Sequence, residues 1–567
     1  MDAVKKIKVV DCSDCPRIAT AQLSDKCKVC IGKDKYKLVL LESNLITKEY
    51  DGETMRLIQV VPFFVDCRFY NPVLSTEPLA SYEIYNGAKV DIRENVQGVG
   101  YVYNISIPEM EMSFKDIKNM QYEVEKMRAL GKTDNELLNR WYGGHGILDY
   151  LLRDEKILEI NINPPPIESP MRLLHEDFDE CLTNVYPTME FLNYLATTLK
   201  INTGRPLNKA QPQLDGEIMV GTTNSRVCAV VDPFSVFGPG YSIRKHREQP
   251  WTSLVFMKKK AFNPWFCGLM SFVIAHGRSF LVAGPRGSGK TSILGALILE
   301  ILPKYRIITI EDTQELPVRA YNQLGYDILP LKVRSALLKS GMEMPFDIGL
   351  RTSLRLGDSV LIVGEIRSKE ATVLYEAMRV GAMSNVVAGT VHSDSPYGVF
   401  DRVVNDLGVP RGSFKVTDLI IIVNQIKTPT GLTRMRRVLS VTEVLKHWED
   451  EPVFQDLLVY NPKTDQLEPT EELLKGKSET INQILSRTSG FHDYEGVLND
   501  ILLRGWAKKA QLELAKKPEQ LEAATMLQMN MTYAKLFEAI KPLDSDKNKK
   551  EFEIQYISKL KDLLKGS

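Results

Sequence analysis

Residues 279–292 read SFLVAGPRGSGKTS, and this stretch decides the fold of the sequence around it. Its apolar run at 280–283 is typical of a buried strand, and the residues after it fit the pattern G-x-x-x-x-G-K-[ST]. An amphipathic helical pattern then runs to Pro303. The order of strand, glycine-rich loop and helix predicts a phosphate-binding loop rather than a chance turn.

Each residue type in this loop has a chemical reason. Gly287 and Gly289 let the backbone curl so that its N–H groups point at phosphates. Lys290 neutralises the β- and γ-phosphates, and Thr291 is a candidate Mg²⁺ ligand. The candidate nucleotide-contacting residues are Gly284, Pro285, Arg286, Gly287, Ser288, Gly289, Lys290, Thr291 and Ser292.

Short runs rich in Val and Ile follow the loop, with helical stretches between them. They lie at 307–310, 360–363 and 386–388. This alternation predicts an α/β fold with a parallel sheet and helices on both of its faces.

Polar residues stand where these predicted strands end. Glu311 and Asp312 follow the first, Glu365 the second and His392 the third. Because parallel strands end at the same edge of a sheet, we expect these side chains beside the phosphate-binding loop. There they can orient a water molecule and manage a metal ion. Taken singly, a carboxylate at a strand end can also be a helix cap, and a lone histidine can be structural.

Four segments in order resemble a known family. GPRGSGKTS, ITIEDTQEL, LIVGEIRSKEA and GTVHSDSPYGVFDRVVNDLGVP are similar to the Walker A, Asp box, Walker B and His box of the type II/type IV secretion ATPases. The resemblance covers roughly residues 143–445. The residues within these segments are similar to those of archaeal members that power type IV pilus assembly. It implies a RecA-like P-loop ATPase domain that uses ATP and Mg²⁺. It also implies a homo-hexamer that drives a polytopic membrane platform protein and, through it, pilin subunits.

The resemblance also implies residue roles. Glu365 would polarise the attacking water, Glu311 and Asp312 would hold Mg²⁺ or its waters, and His392 would couple the γ-phosphate to subunit contacts. Gly364 stands where many P-loop enzymes have an aspartate, so that metal binding would depend more on Thr291 and the Asp box.

Two arginines upstream are candidates for transition-state stabilisation. Arg226 and Arg244 lie in predicted strands of the preceding domain. The resemblance implies that such arginines reach the nucleotide as arginine fingers in a ring of subunits. The alternative is that they are solvated surface residues.

Cys12, Cys15, Cys27 and Cys30 form two C-x-x-C pairs near the N-terminus. Four thiolates in paired knuckles favour one structural, tetrahedral Zn²⁺. An iron–sulfur cluster and free buried thiols are the alternatives.

The pattern along the chain predicts six segments. They are a Cys₄ zinc-knuckle module at 1–34, a β-rich region with following helices at 35–142, a second α+β domain at 143–247, a hinge at 248–253, the RecA-like ATPase domain at 254–447 and a C-terminal helical region at 448–567.

Charge and hydropathy limit the partners. Lys+Arg and Asp+Glu both number 72, so no basic excess favours nucleic acid. We see no apolar run long enough to span a bilayer and no signal peptide, and therefore expect a cytoplasmic protein held at the inner membrane face by partners. The rival functions are an archaellum motor of the same superfamily, a nucleic-acid translocase or helicase, and a nucleotide-dependent regulator.

Overall fold

The computed structural model describes residues 9–11, 36–40, 45–51, 54–59, 64–71, 77–95, 99–112, 114–130, 134–333, 346–357, 359–367, 370–381, 386–429, 431, 434–540 and 546–566. The chain divides into two compact units, 1–247 and 248–567. The four N-terminal cysteines, Cys12, Cys15, Cys27 and Cys30, lie outside the described residues, so the zinc module stays a prediction.

The first unit is built on two sheets. Its strands are β1 Val9–Asp11, β2 Tyr36–Leu40, β3 Leu45–Asp51, β4 Thr54–Gln59, β5 Cys67–Asn71, β6 Ala80–Glu83, β7 Lys89–Glu94, β8 Tyr101–Ser106, β9 Ile157–Ile162, β10 Arg172–His175, β11 Asp179–Thr183, β12 Val185–Pro187, β13 Gln213–Val220, β14 Thr223–Val230 and β15 Gly240–Lys245. One sheet has the order β1-β2-β3-β4-β5-β12, and the other β13-β14-β15-β9-β10-β11-β8-β7-β6.

The helices of this unit are α1 Phe114–Leu130, α2 Glu136–Leu138, α3 Ile147–Leu151 and α4 Met189–Thr203. In β14 buried and half-buried residues alternate from Thr223 to Val230, as expected of a strand with one face on the core. The buried face of β14, with Val227 and Ala229, joins a core that includes Phe191 and Leu199 of α4. Its other, half-buried face carries Asn224 and Arg226.

The second unit has one mixed sheet. Its strands are β16 Phe280–Ala283, β17 Arg306–Glu311, β18 Asp327–Lys332, β19 Val360–Ile366, β20 Val387–Val391, β21 Leu419–Lys427, β22 Arg434–Val444, β23 Phe454–Asn461 and β24 Gln466–Pro469. Its helices are α5 Ser253–Lys258, α6 Pro264–Ala275, α7 Lys290–Ile298, α8 Val318–Gln323, α9 Phe346–Arg355, α10 Glu370–Gly381, α11 Pro396–Asp401, α12 Glu471–Leu474, α13 Glu479–Leu485, α14 Tyr494–Leu514, α15 Ala523–Ile540 and α16 Asp546–Gly566.

The sheet of this unit has the order β18-β17-β19-β20-β16-β21-β22-β23-β24. The strands from β18 to β21 are parallel to one another. Phe280 and Val282 of β16 belong to one apolar core, while Leu281 and Ala283 belong to another. Both faces of the sheet are thus covered, and the prediction of a parallel α/β fold is confirmed.

Two strands that the sequence did not predict extend this sheet beyond Trp448. β23 pairs antiparallel with β22, and β24 pairs antiparallel with β23. β24 is only four residues long and buries a single one of them, Leu467. Its apolar pattern is too short to mark a strand, and only the hairpin pairing with β23 makes it one. Among the described residues, no helix has the length and hydropathy to cross a lipid bilayer.

Candidate nucleotide-binding and catalytic site

The phosphate-binding loop connects β16 to α7. Gly287 has φ +78° and Gly289 has φ +92°, a left-handed conformation that glycine adopts without a steric penalty. The helix begins at Lys290 directly after Gly289, so its N-terminal N–H groups open onto the loop. Pro285 and Arg286 are exposed at the tip of the loop, while Lys290 is buried, at 7% exposure.

The imidazole ring of His392 contacts both Lys290 and Glu365. Lys290 Nζ donates to the carbonyl oxygens of Gly284 and Pro285, each at 3.0 Å, and lies 3.3 Å from His392 Nδ1. His392 Nε2 lies 3.1 Å from Glu365 Oε1. An ammonium group has only protons to offer, so Nδ1 must accept, and Nε2 carries the proton that is donated to the carboxylate. One imidazole ring thus joins the lysine to the glutamate.

Two ion pairs continue from Glu365 to the Asp box. Arg367 Nη2 donates to Glu365 Oε2 at 2.5 Å, and Arg367 Nη1 donates to Asp312 Oδ2 at 2.6 Å. Burial alone would raise the pKa of Glu365, but the hydrogen bonds from His392 and Arg367 outweigh burial and lower the pKa to about 2. Glu365 is therefore ionised at neutral pH.

Glu311 lies in a different environment, although it ends the neighbouring strand β17. The residue is 2% exposed, and Oε1 accepts the backbone N–H groups of Glu315 at 3.0 Å and Leu316 at 3.2 Å. Burial raises its pKa to about 8. Its second oxygen, Oε2, has no hydrogen-bond partner among the described residues.

Gly364 leaves the space that Glu311 fills. A Cβ atom at position 364 would lie 2.8 Å from Glu311 Cγ, closer than side-chain atoms normally approach. The absence of an aspartate at the end of β19 therefore has a steric reason.

The structure thus brings together Lys290, His392, Glu365 and Asp312, which the sequence predicted at one sheet edge. Sequence reasoning did not assign a role to Arg367, which joins the two carboxylates. The signal was available, because Arg367 is two residues after Glu365 and alternate strand residues share a face.

The two candidate arginines of the first unit lie side by side. Arg226 and Arg244 are register partners on β14 and β15, and the same row continues to Glu217 on β13 and Glu159 on β9. Arg244 Nη2 lies 3.1 Å from Glu159 Oε2, and Arg226 Nη2 lies 3.8 Å from Asp215 Oδ1. Both guanidinium groups are partly exposed on the polar face of the sheet.

The residues beside the loop have the chemistry of a Mg²⁺ site that nucleotide phosphates complete. The candidate ligands are the Thr291 hydroxyl group and the Asp312 carboxylate, because oxygen is the ligand atom that Mg²⁺ prefers. The Glu311 carboxyl group is buried and its raised pKa favours the protonated form, which makes it a weak ligand. In the part of the chain that the structure describes, no group of three or more His, Cys, Asp or Glu side chains could hold a metal ion alone. Mg²⁺ usually keeps waters and phosphate ligands instead of a protein cage, so the donor set fits.

A parallel sheet covered on both faces, with a phosphate-binding loop after β16 and polar groups at the neighbouring strand ends, defines a RecA-like P-loop ATPase fold. Residues 167–445 match the family model described as Type II/IV secretion system protein. Residues 167–445 thus carry a domain of the type II/type IV secretion ATPase superfamily.

Relatives with this similarity occur in archaea and bacteria. The uncharacterized protein MJ0900 of Methanocaldococcus jannaschii is 27% identical over 377 residues, which are 65% of this chain and 64% of that protein. A putative conjugal transfer protein of Mycobacterium tuberculosis is 31% identical over 205 residues, 36% of this chain and 56% of that protein. The chain thus spans less than two thirds of the length of these relatives.

Among solved structures, the VirB11 ATPase of the Brucella suis type IV secretion system is 20% identical, with a TM-score of 0.26, over 51% of this chain and 90% of that one. At this TM-score the fold assignment rests on the sheet topology and the family match.

Proposed function

We propose that this chain is an ATP-hydrolysing motor that powers type IV pilus assembly or type II-like protein secretion. The observation that carries the proposal is the series of contacts from Lys290 through His392 to Glu365. It joins a phosphate-binding lysine to an ionised carboxylate, and hydrolysis of a triphosphate needs both at one site.

In this mechanism the loop N–H groups and Lys290 bind the phosphates of ATP, and Mg²⁺, when bound, neutralises the charge that develops on them. Glu365 accepts a hydrogen bond from the attacking water and orients it. Because its pKa is low, it acts by orientation and electrostatics more than by strong basicity. When Lys290 turns to the phosphates it leaves His392 Nδ1, so the imidazole reports phosphate binding to Glu365.

Arg226 and Arg244 are the proposed arginine fingers of a homo-hexamer. Their adjacent positions and partial exposure support this role, because an incoming anion can compete with Glu159 and Asp215 for the guanidinium groups. Asp312 and Thr291 are the proposed Mg²⁺ ligands. Glu311 can assist only through Oε2, since Oε1 is bound to the backbone.

The family description supports a partner in a membrane machine, which we propose to be a polytopic platform protein on the inner face of the cell membrane that passes the motion on to pilin subunits. The similarity of the four boxes to archaeal pilus-assembly members favours this branch over the archaellum motor. A Cys₄ zinc module at 1–34 remains part of the proposal.

The test is ATP turnover by the purified full chain in the presence of Mg²⁺, measured as the release of phosphate. We expect Lys290→Ala to abolish it and Lys304→Ala, at an exposed lysine, to leave it unchanged. Membrane vesicles that carry the platform protein should stimulate turnover, and single-stranded DNA should not. Stimulation by DNA alone would favour a nucleic-acid translocase instead.

A further inference from the structure

The C-terminal half of β21 runs beside the phosphate-binding loop. β16 pairs in parallel with β21, and Ala283, its last residue, is level with Ile422. β21 continues to Lys427, so residues 423–427 pass the loop that follows Ala283. The two segments come close at Gly284, where an added Cβ atom would lie 2.2 Å from the carbonyl oxygen of Val423.

Two side chains from the β21–β22 hairpin converge on one carbonyl group of the loop. Gln425 Nε2 donates to the carbonyl oxygen of Gly287 at 2.7 Å, and Arg436 Nε donates to the same oxygen at 3.1 Å. Gln425 and Arg436 are register partners on the two antiparallel strands. A carbonyl oxygen has two lone pairs and can accept both bonds.

The hairpin directs these two residues to the loop. The pairing of β21 with β22 shifts register between Ile422 and Val423, and such an irregularity re-aims the side chains that follow it. Successive strand residues face opposite sides, so Arg437 points away from the loop. Arg437 is buried and binds both carboxylate oxygens of Asp465, at 2.8 and 2.9 Å.

The Gly287 carbonyl matters because of the shape of the loop. Around left-handed residues such as Gly287 and Gly289, successive N–H groups can turn to one side and bind an anion there. The Gly287 carbonyl is exposed, and Gln425 and Arg436 give it fixed partners where exchangeable water would otherwise bind. The rotation of the peptide group that follows Gly287 is fixed by these two bonds.

We propose that Gln425 and Arg436 are positioning residues for nucleotide binding, which hold the Gly287 peptide so that the loop N–H groups face the phosphates. The inference rests on the proposed function, since it assumes that the loop binds a nucleotide. It assigns to the β21–β22 hairpin a part in setting nucleotide affinity.

The experiment compares nucleotide affinity with turnover in the full chain. Gln425→Leu and Arg436→Ala each remove one hydrogen-bond donor to the Gly287 carbonyl. Arg434→Ala is the control, because Arg434 is an exposed residue of β22, two positions before Arg436. Dissociation constants are measured with fluorescent ATP and ADP, and kcat is measured at saturating ATP.

We expect each variant to weaken the binding of ATP and of ADP equally, by roughly 2- to 10-fold, which is the range for one lost hydrogen bond. The kcat at saturating ATP should stay within about 2-fold of that of the parent, because the two hydrogen bonds position the phosphate-binding loop and do not contact the reacting atoms. Arg434→Ala should bind both nucleotides with the affinity of the parent. Gln425→Glu keeps the side-chain size but replaces the donor with an acceptor, and should weaken binding at least as much as Gln425→Leu.

Contrary outcomes are distinct. A loss confined to ATP would mean a direct γ-phosphate contact and overturn the positioning role, as would unchanged affinity in all three variants at 425 and 436. If Lys290→Ala loses nucleotide while these variants bind normally, only this inference fails. If the parent chain binds no nucleotide, the proposed function fails with it.

Discussion

The ends of β17 and β19 offer the same chemistry in two environments. Each strand is buried and parallel to the other, and each has a glutamate at its carboxyl end, Glu311 in β17 and Glu365 in β19. Glu311 is enclosed and bound to backbone N–H groups, with its pKa raised to about 8. Glu365 faces a histidine and an arginine, and its pKa is lowered to about 2.

The comparison shows that the position after a buried strand does not assign a role to a carboxylate. A protonated, enclosed glutamate supports the turn that follows it, whereas an ionised one beside Lys290 and His392 can act on water. The neighbours of each carboxylate decide between the two, and four substitutions test this contrast.

The largest expected effect is that of Glu365→Gln on turnover. It keeps the size of the side chain but removes its charge, so ATP hydrolysis should fall roughly 10²- to 10⁴-fold while ATP binding stays within a few-fold. Phosphate release and nucleotide titration measure the two quantities. Glu376→Gln, at an exposed position on α10, is the control. Near-normal turnover would remove Glu365 from the site.

Next is Gly364→Ala, which tests the enclosure of Glu311. The added methyl group would lie 2.8 Å from Glu311 Cγ, and the buried side chain has little room to move. Overpacking of this kind costs about 1–3 kcal/mol, measurable as a lower midpoint of thermal unfolding. Gly412→Ala, where nothing lies within 4 Å of the new atom, should have no such effect. An unchanged midpoint would contradict the tight packing.

A smaller effect is expected from Arg367→Gln. Loss of the guanidinium group removes one of the two hydrogen bonds that lower the pKa of Glu365, so this pKa should rise. Because Glu365 must be ionised to act, the acid limb of the pH profile of kcat should move to higher pH. The profile of Arg379→Gln, at an exposed arginine of α10, should match that of the parent. A profile that stays in place would show that Arg367 does not tune Glu365.

The smallest effect on turnover should be that of Glu311→Gln, within about threefold of the parent. Stability is more informative. The folded carboxyl keeps its proton up to about pH 8, against a usual value of 4.5, so the parent loses stability as pH rises between these values. The variant has no carboxyl group at position 311 to titrate in this pH range. Its free energy of unfolding should therefore rise relative to that of the parent by on the order of 1 kcal/mol per pH unit.

Unfolding of the full chain in EDTA at pH 5, 6.5 and 8 measures this gain. Glu449→Gln, an exposed carboxylate, should track the parent at all three values. A gain that is the same at each pH would contradict the raised pKa of Glu311.

Local sequence patterns are enough to predict the phosphate-binding loop, the parallel strands and the sheet edge at which Lys290, Glu365 and His392 meet. These follow from local pattern, because a glycine-rich loop after an apolar run and carboxylates at strand ends are fixed by neighbours along the chain.

Three features emerge only when the chain is folded: which carboxylate is enclosed, why Gly364 must lack a side chain, and the contact of Gln425 and Arg436 with the Gly287 carbonyl. These depend on residues far apart in sequence, and burial and hydrogen bonding are set when distant strands pair. The strands β23 and β24 were missed although they pair with neighbours along the chain, because β24 buries only one of its four residues and so gives no apolar pattern.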